Sequence, residues 1–432
     1  MRSKENQARF QRVPMYKSQI VFGLLSAVTA VLVSVTAVAG LLAQTAPTVT
    51  ALVGGRVIAS PELGPVDDAA VLIVGGRIVA VGPRENVTVP AGARIIDCRN
   101  MVLVAGFQNS HVHFTEDGWI ESASQPAAKL TAQLQSMLTA YGFTTVVDTG
   151  SFLENTVALR RRVETGEVPG PRIFTAGLPL YPPGGIPYYL KDGSIPADLL
   201  KLLPQPSTSA EAASTVVRDI EGGADIVKLF TGSWVTNRRV LPMPADLAAA
   251  AVLEAHRRGR LVFAHTSSVA GLEVTLSAGV DVIAHALDDT RGLTPEHLRR
   301  MKRQNVTLIP TLTLFADAQN ASVIFREVVD YAGLGGEILF GTDVGYHQMY
   351  NPRLEYESLS KAGLSWKQIL ASLTTGPSHR FNEGNRRGQL QPGMDGDVVV
   401  LGTDPGAGWQ AFTDVRYTIR AGKVLYQRPE NR

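Results

Sequence analysis

The chain has 432 residues, 41 Lys and Arg against 39 Asp and Glu, a formal net charge of +2, and 45% hydrophobic residues. That length exceeds what a single hydrophobic core usually serves, so more than one structural region is expected. The basic residues are not gathered into a long stripe, which argues against nucleic acid as a partner, and the single cysteine, Cys98, excludes an internal disulfide framework.

At the amino end, Arg2, Lys4, Arg9, Arg12 and Lys17 precede an uncharged apolar stretch over 20–43. This is the pattern of an export signal, with Ala37-Val38-Ala39 as a small-x-small cleavage site. Residues 1–45 are therefore read as a signal peptide. Left uncleaved, 20–43 would be a membrane anchor, because about 20 apolar residues span a bilayer. Either reading puts the rest of the chain outside the cytoplasm, in a periplasmic or secreted location.

Residues 46–104 and 385–432 share a texture of short β-prone runs, at 51–53, 70–74, 77–81, 397–401 and 416–420, broken by Gly-Gly, Gly-Pro and Ala-Gly turns. Neither segment alone suffices for a core. They are expected to pair into one β-sandwich built from both ends of the chain. Cys98 falls in this region and reads as a small packed side chain.

Between them, residues 105–384 alternate apolar runs with helical patterns. The runs lie at 104–113, 143–147, 172–176, 224–228, 261–265, 280–285, 306–310 and 337–343; the helical stretches include 127–141, 154–165, 210–221, 245–258, 269–278 and 295–304. Gly142, Gly166, Gly222, Gly259 and Gly279 each stop a helix before the next run. Eight strands alternating with helices predict an α/β fold of the (β/α)8 TIM-barrel type, flanked by the sandwich. Two longer connections, 176–206 and 313–336, are expected to shape a pocket.

Several of these runs end in residues able to hold a metal. His111 and His113 stand one residue apart on the first run, where strand alternation points both imidazoles the same way. Lys228, His265, His285 and Asp343 close later runs, at the carboxyl end where barrel enzymes carry their sites. Each has a plainer reading: an incidental His pair, a lysine snorkelling to the barrel mouth, an aspartate capping a turn. His256 and His297 fall on helices and read as solvated or packed, and His379 reads as structural. His347 follows Asp343 closely enough to reach a substrate, and Tyr181, Tyr188 and Tyr189 could line a pocket.

Taken together, the His111-Val112-His113 pair, Lys228 within 224–228, His265, His285, the run Gly341-Thr342-Asp343-Val344-Gly345, Pro169 to Arg172 and Leu390 to Asp397 resemble the amidohydrolase superfamily, in its imidazolonepropionase-like and prolidase-like branch. The resemblance implies two divalent ions, usually Zn2+, with His111, His113 and Asp343 on one, His265 and His285 on the other, and Lys228 bridging them as a carbamate. It implies that the ions make water nucleophilic toward a carbonyl while Asp343 carries its proton. One departure is Asn109, where the family commonly has an acidic residue.

The expectation is an exported, metal-dependent amidohydrolase that cleaves a carbon-nitrogen bond of a small molecule, such as an Xaa-Pro dipeptide or an N-acyl amino acid. A cyclic amide or a lactone is the alternative substrate. A binding protein with a degenerate metal site is the alternative of another class. The sequence leaves the oligomeric state open.

Overall fold

The strand Val66–Val74 begins with exposed aspartates and ends in a fully apolar half, a pattern suited to a strand that leaves the surface and becomes covered on both faces. The computed structural model describes residues 48–191 and 197–429; the expected export or anchor segment at 20–43 lies outside them. Val66–Val74 sits between Val49–Val57 and Arg77–Pro83 in an antiparallel meander. Val49–Val57 also pairs in parallel with Arg94–Asp97 and Val102–Ala105. The carboxyl-terminal strands Val398–Leu401, Val415–Arg420 and Lys423–Gln427 extend this sheet, with Val398 opposite Ala105.

Both chain ends thus build the β region. By its hydrogen bonds, however, the expected sandwich is one continuous eight-stranded sheet. Alternation explains its two covered faces: Leu52, Val71 and Ile73 belong to one apolar cluster, and their neighbours Ala51, Ala70 and Leu72 to another.

The α/β region contains seven regular parallel strands. Phe107–Val112, Phe143–Asp148 and Arg172–Thr175 form one sheet; Ile226–Phe230, Leu261–His265, Val282–Ala284 and Thr307–Ile309 form another. Helices fall between them close to expectation, as at Ala127–Met137, Leu153–Glu164, Ser209–Glu221, Ala245–Arg257, Val269–Ala278 and Pro295–Arg303. Their ends follow local chemistry. The Thr208 side chain accepts from the backbone of Glu211, Ser268 accepts from Gly271, and Gly279 closes its helix at φ +80°.

On one side, Asp225 N–H donates to Thr175 O at 2.8 Å, and Leu180 bonds to Lys228 O and Phe230 N at 2.9 and 2.8 Å, linking the two sheets. On the other, residues 337–344 reach both: Leu339 N–H donates to Leu308 O, Ser110 N–H to Phe340 O, and His113 N–H to Val344 O. The expected eighth strand is therefore an extended segment making isolated bridges rather than a regular strand. Asp343 at φ +60° ends the pleat just where its carboxylate is needed. A hairpin, Gly232–Thr236 with Arg239–Pro242, and a helix, Ala321–Gly333, were not expected; both lie in connections.

Strand alternation then sets the site. Val147, Ala176, Ile226, Phe263, Val282, Ile309 and Leu339 form one apolar cluster, whereas Val227, Val262 and Ala264 join Leu247 and Ala251 of the surrounding helix in another. Lys228 follows Ile226, and His265 follows Phe263, on the face of the first cluster. At the opposite strand ends, Arg172 lies 3.2 Å from Asp397 and 3.3 Å from Asp395, which also pairs with Arg387 at 2.9 Å. Two stretches that carried the family resemblance thus meet as one ion cluster between the β and α/β regions.

Candidate metal centre

His111 Nε2 and His113 Nε2 lie 3.0 and 2.9 Å from Asp343 Oδ1, and 3.3 Å from each other. All three residues are largely enclosed: His111 is fully buried, and the His113 and Asp343 side chains are 16% and 4% exposed. A register shift between Asn109 and Val112 disturbs the strand that carries the histidines, yet both rings still converge.

The proton assignments make this cluster informative. His113 Nδ1 faces the carbonyl of Gly150 at 2.8 Å and must donate to it, so in the neutral ring Nε2 is a bare lone pair. A lone pair 2.9 Å from a carboxylate oxygen repels it, and either a proton shared with Asp343 or a divalent ion between the atoms removes that repulsion. Around an ion with ligands at about 2.1 Å, neighbouring ligand atoms stand about 3.0–3.4 Å apart, so the three atoms fit one divalent ion. Among the described residues, this is the cluster of three His, Cys, Asp or Glu side chains able to hold a metal.

Burial sets the electrostatics. It disfavours the imidazolium of His111 and His265, and the charge of Lys228 adds to the effect, bringing both to about 3; it also holds His285 well below its usual value. Burial opposes the charged form of His113 too, but the hydrogen bond and charge of Asp343 outweigh it and raise that pKa. Asp343 stays a carboxylate well below its ordinary value, because the surrounding histidines overcome the effect of burial. Lys228 is 2% exposed, and burial lowers its ammonium to about 7. Three neutral histidines, one carboxylate and an amine that sheds its proton near neutrality form a ligand set for divalent cations.

His265 and His285 stand beside this cluster. The His285 ring centroid is 4.6 Å from that of His111 and 4.8 Å from that of His265, while Phe230 stacks on His265 at 4.4 Å. His111, His113, Asp343, His285 and His265 therefore form one connected group, and Lys228 lies near enough for its charge to act on His111 and His265. His285 adopts φ +77° and Asp343 φ +60°, unusual for non-glycine residues and common where a site over-determines the backbone.

Of the other expected residues, Tyr181 is buried against Phe230, with ring centroids 4.5 Å apart, so its contact with the site runs through Phe230 to His265. Tyr189 packs edge-on against Tyr188 and Tyr346; burial, nearby tyrosines and the charge of Asp343 raise its pKa well above the usual value. Tyr188 is exposed. His347 donates from Nε2 to Thr342 O at 2.8 Å and accepts at Nδ1 from Met349 N–H, so both ring nitrogens serve the turn around Asp343. His256 pairs with Asp281, and His297 completes a helix cap.

Asn109 donates to Thr342 Oγ1 at 2.8 Å and accepts from the backbone of His111 and Thr342. An amide does both, so this chain joins the histidine strand to the Asp343 turn without adding a second buried negative charge.

Several supporting groups escaped the sequence reading. Asp148 accepts from Ser151 and Thr175 hydroxyls at 2.5 and 2.6 Å and thereby fixes the turn whose Gly150 carbonyl orients His113. Thr311 Oγ1 lies 2.6 Å from His285 Nδ1. Both follow apolar runs, so the rule that found His265 and Lys228 would have found them if extended by one residue. Glu327 accepts from Leu287 N–H at 3.0 Å, and Glu355 from Leu312 and Thr313. A lone glutamate on a helix carries no such signal.

The profile of the amidohydrolase family matches residues 102–425. The chain belongs to the amidohydrolase family. Imidazolonepropionase from Kosmotoga olearia is 25% identical over 113 residues, 23% of this chain and 26% of that protein; the match thus spans about a quarter of the curated relative. Among solved structures, a candidate prolidase from Bifidobacterium longum superposes with a TM-score of 0.75 at 23% identity, over 90% of this chain and 97% of its own. A prolidase complexed with N-methylphosphonate-L-proline superposes with a TM-score of 0.71 at 25% identity, over 88% of this chain and 100% of its own. These likenesses imply a TIM barrel with a flanking β domain.

Proposed function

We propose that this amidohydrolase is an exported, zinc-dependent enzyme that hydrolyses the carbon-nitrogen bond of a small amide or imide, with an Xaa-Pro dipeptide or an N-acyl amino acid as the substrate class. The observation that carries this reading is the convergence of His111, His113 and Asp343 beside Lys228, His265 and His285. In this reading residues 337–344 close the parallel strands into a (β/α)8 barrel. His111, His113 and Asp343 would hold one divalent ion and His265 and His285 a second, and Lys228 would supply an anionic oxygen ligand as the carbamate that its neutral amine forms with carbon dioxide, releasing a proton to solvent.

Divalent ions, when bound by these residues, would supply acidified water and polarisation of the scissile carbonyl. The chain supplies the rest. Asp343, ionised at neutral pH, takes the proton from the attacking water and returns it to the leaving nitrogen. Gly150 and Thr311 accept from Nδ1 of His113 and His285, so that each Nε2 would be the atom offered to an ion. Tyr181 and Tyr189 are the proposed pocket wall, with Tyr188 at its edge, and His347 keeps the Asp343 turn in place at the border of the substrate.

The basic residues followed by the apolar stretch at 20–43 support export to the periplasm or outside the cell, with membrane anchoring if that stretch is retained. The imidazolonepropionase likeness favours a cyclic amide as the second reading, with a lactone behind it. A binding protein with a degenerate site would need the donor set for another purpose.

Purified protein should hold about two divalent ions per chain, lose turnover to a chelator and regain it with zinc. A panel of Xaa-Pro dipeptides, N-acyl amino acids, cyclic amides and lactones then ranks the substrate classes. Metal-free protein inert toward all of them after zinc loading would overturn the hydrolase reading.

A further inference from the structure

His285 binds a cation through Nε2 only if its proton resides on Nδ1, and the structure shows what would put it there. Thr311 Oγ1 lies 2.6 Å from His285 Nδ1 and 2.8 Å from the carbonyl oxygen of Pro310. A hydroxyl has one proton. Given to the carbonyl, which only accepts, it leaves the oxygen lone pairs to accept from His285 Nδ1–H. Nε2 then keeps its lone pair free for a cation.

This relay depends on an uncommon backbone. Thr311 has φ +43° and ψ +53°, the left-handed region that a β-branched residue rarely occupies. The residues after it are held from outside the strand by Glu355, on the helix Arg353–Lys361. Its carboxylate, fully buried, accepts from Leu312 N–H at 3.0 Å, Thr313 N–H at 2.7 Å and Thr313 Oγ1–H at 2.9 Å.

We infer that Glu355 is a positioning residue: by clamping the turn at 312–313 it keeps Thr311 left-handed, and Thr311 in turn fixes the His285 tautomer that leaves Nε2 free to bind a cation. Glu355 touches neither His285 nor any substrate. Its effect passes through the backbone and one hydroxyl. The inference rests on the proposed metal site for its consequence, but the tautomer itself does not.

Nitrogen-15 NMR of histidine-labelled, metal-free protein reads the tautomer, with the His285 signal assigned by its loss in H285Q. Wild type should carry the proton on Nδ1. T311V, which keeps the shape but removes the hydroxyl, should move it to Nε2 or to a mixture. E355Q should shift the same signal in the same direction and weaken binding of the second zinc ion about 10- to 100-fold. Adding T311S to E355Q should recover most of the loss, because serine keeps the hydroxyl without the β-branch. Should E355Q fail to fold, T313A replaces it, removing one of the three donors; a smaller shift in the same direction supports the inference. A wild-type proton on Nε2, or an unchanged His285 signal in E355Q or its T313A substitute, overturns it. Correct tautomers in a protein without hydrolytic turnover would count against the proposed function alone.

Discussion

Gly345 passes so close to His113 that a Cβ on it would lie 1.9 Å from the His113 carbonyl oxygen, and its φ of +99° is itself closed to most side chains. This contact holds the Asp343 turn against the histidine strand. Gly345→Ala should therefore separate Asp343 from His111 and His113, costing about 1–3 kcal/mol in backbone strain and lowering bound metal and turnover together. Gly384→Ala, with nothing within 4 Å of the added carbon, should change neither. Metal analysis and circular dichroism on both variants check this.

Burial lowers the Lys228 pKa from 10.5 to about 7. Between those values the unfolded chain holds a proton that the folded one lacks, so stability of the metal-free, carbon-dioxide-free protein should rise with pH across that window. The penalty for burying the ammonium is fully present below about pH 7. Lys228→Met should flatten this dependence in urea unfolding and should abolish turnover. Lys228→Ala should also lose activity and at least one metal, with partial rescue by small carboxylic acids; unchanged turnover would refute the bridging role.

Glu327 has the opposite sign. Burial raises it from 4.5 to about 8, so between those values the folded state keeps a proton that the unfolded state has released, and stability falls as pH rises through the window. Glu327→Gln should remove that decline and exceed wild type in stability above about pH 8. Coincident wild-type and variant denaturation curves at pH 9 would contradict the assignment.

Asp343→Asn tests the division between ligand and proton carrier. If proton transfer is the main task of Asp343, turnover should fall far more than metal content. Equal losses would make it chiefly a ligand.

Arg172 sits between Asp395 and Asp397 with only 16% of its side chain exposed. Arg172→Met leaves Asp397 without its cation in a largely buried place, while Asp395 keeps Arg387, and should destabilise the fold by about 3 kcal/mol. Denaturant unfolding should register that loss while zinc stoichiometry of the folded fraction stays constant.

The sequence made the ligand-bearing residues legible because each run closed by Lys228, His265 or His285 announces itself by apolar residues and a polar stop, although the strand carrying Lys228 continues to Phe230 and the one before His285 ends at Ala284. The helices up to Pro295–Arg303 were equally readable from their spacing and, in most cases, a glycine stop, whereas those at Ala321–Gly333, Arg353–Lys361 and Trp366–Leu373 were not. The eighth run misled: Glu337 to Asp343 has the composition of a strand, but pairing on both sides is confined to isolated bridges and Asp343 turns left-handed. Glu355 and Glu327 were invisible for a different reason. Their importance lies in which backbone amides and hydroxyls they meet, and those partners are distant in sequence or hidden in turns. The single sheet, likewise, depends on pairing between Ala105 and Val398, which local pattern cannot specify.

That last pairing has a consequence for biosynthesis. A ribosome delivers Val102–Ala105 long before Val398–Leu401, so one border of the early sheet stays open while the whole α/β region is made. During that interval it offers unpaired amides and carbonyls to any neighbouring chain. Early termination before Val398 should yield a product that aggregates, even though every metal-binding candidate has already been synthesised.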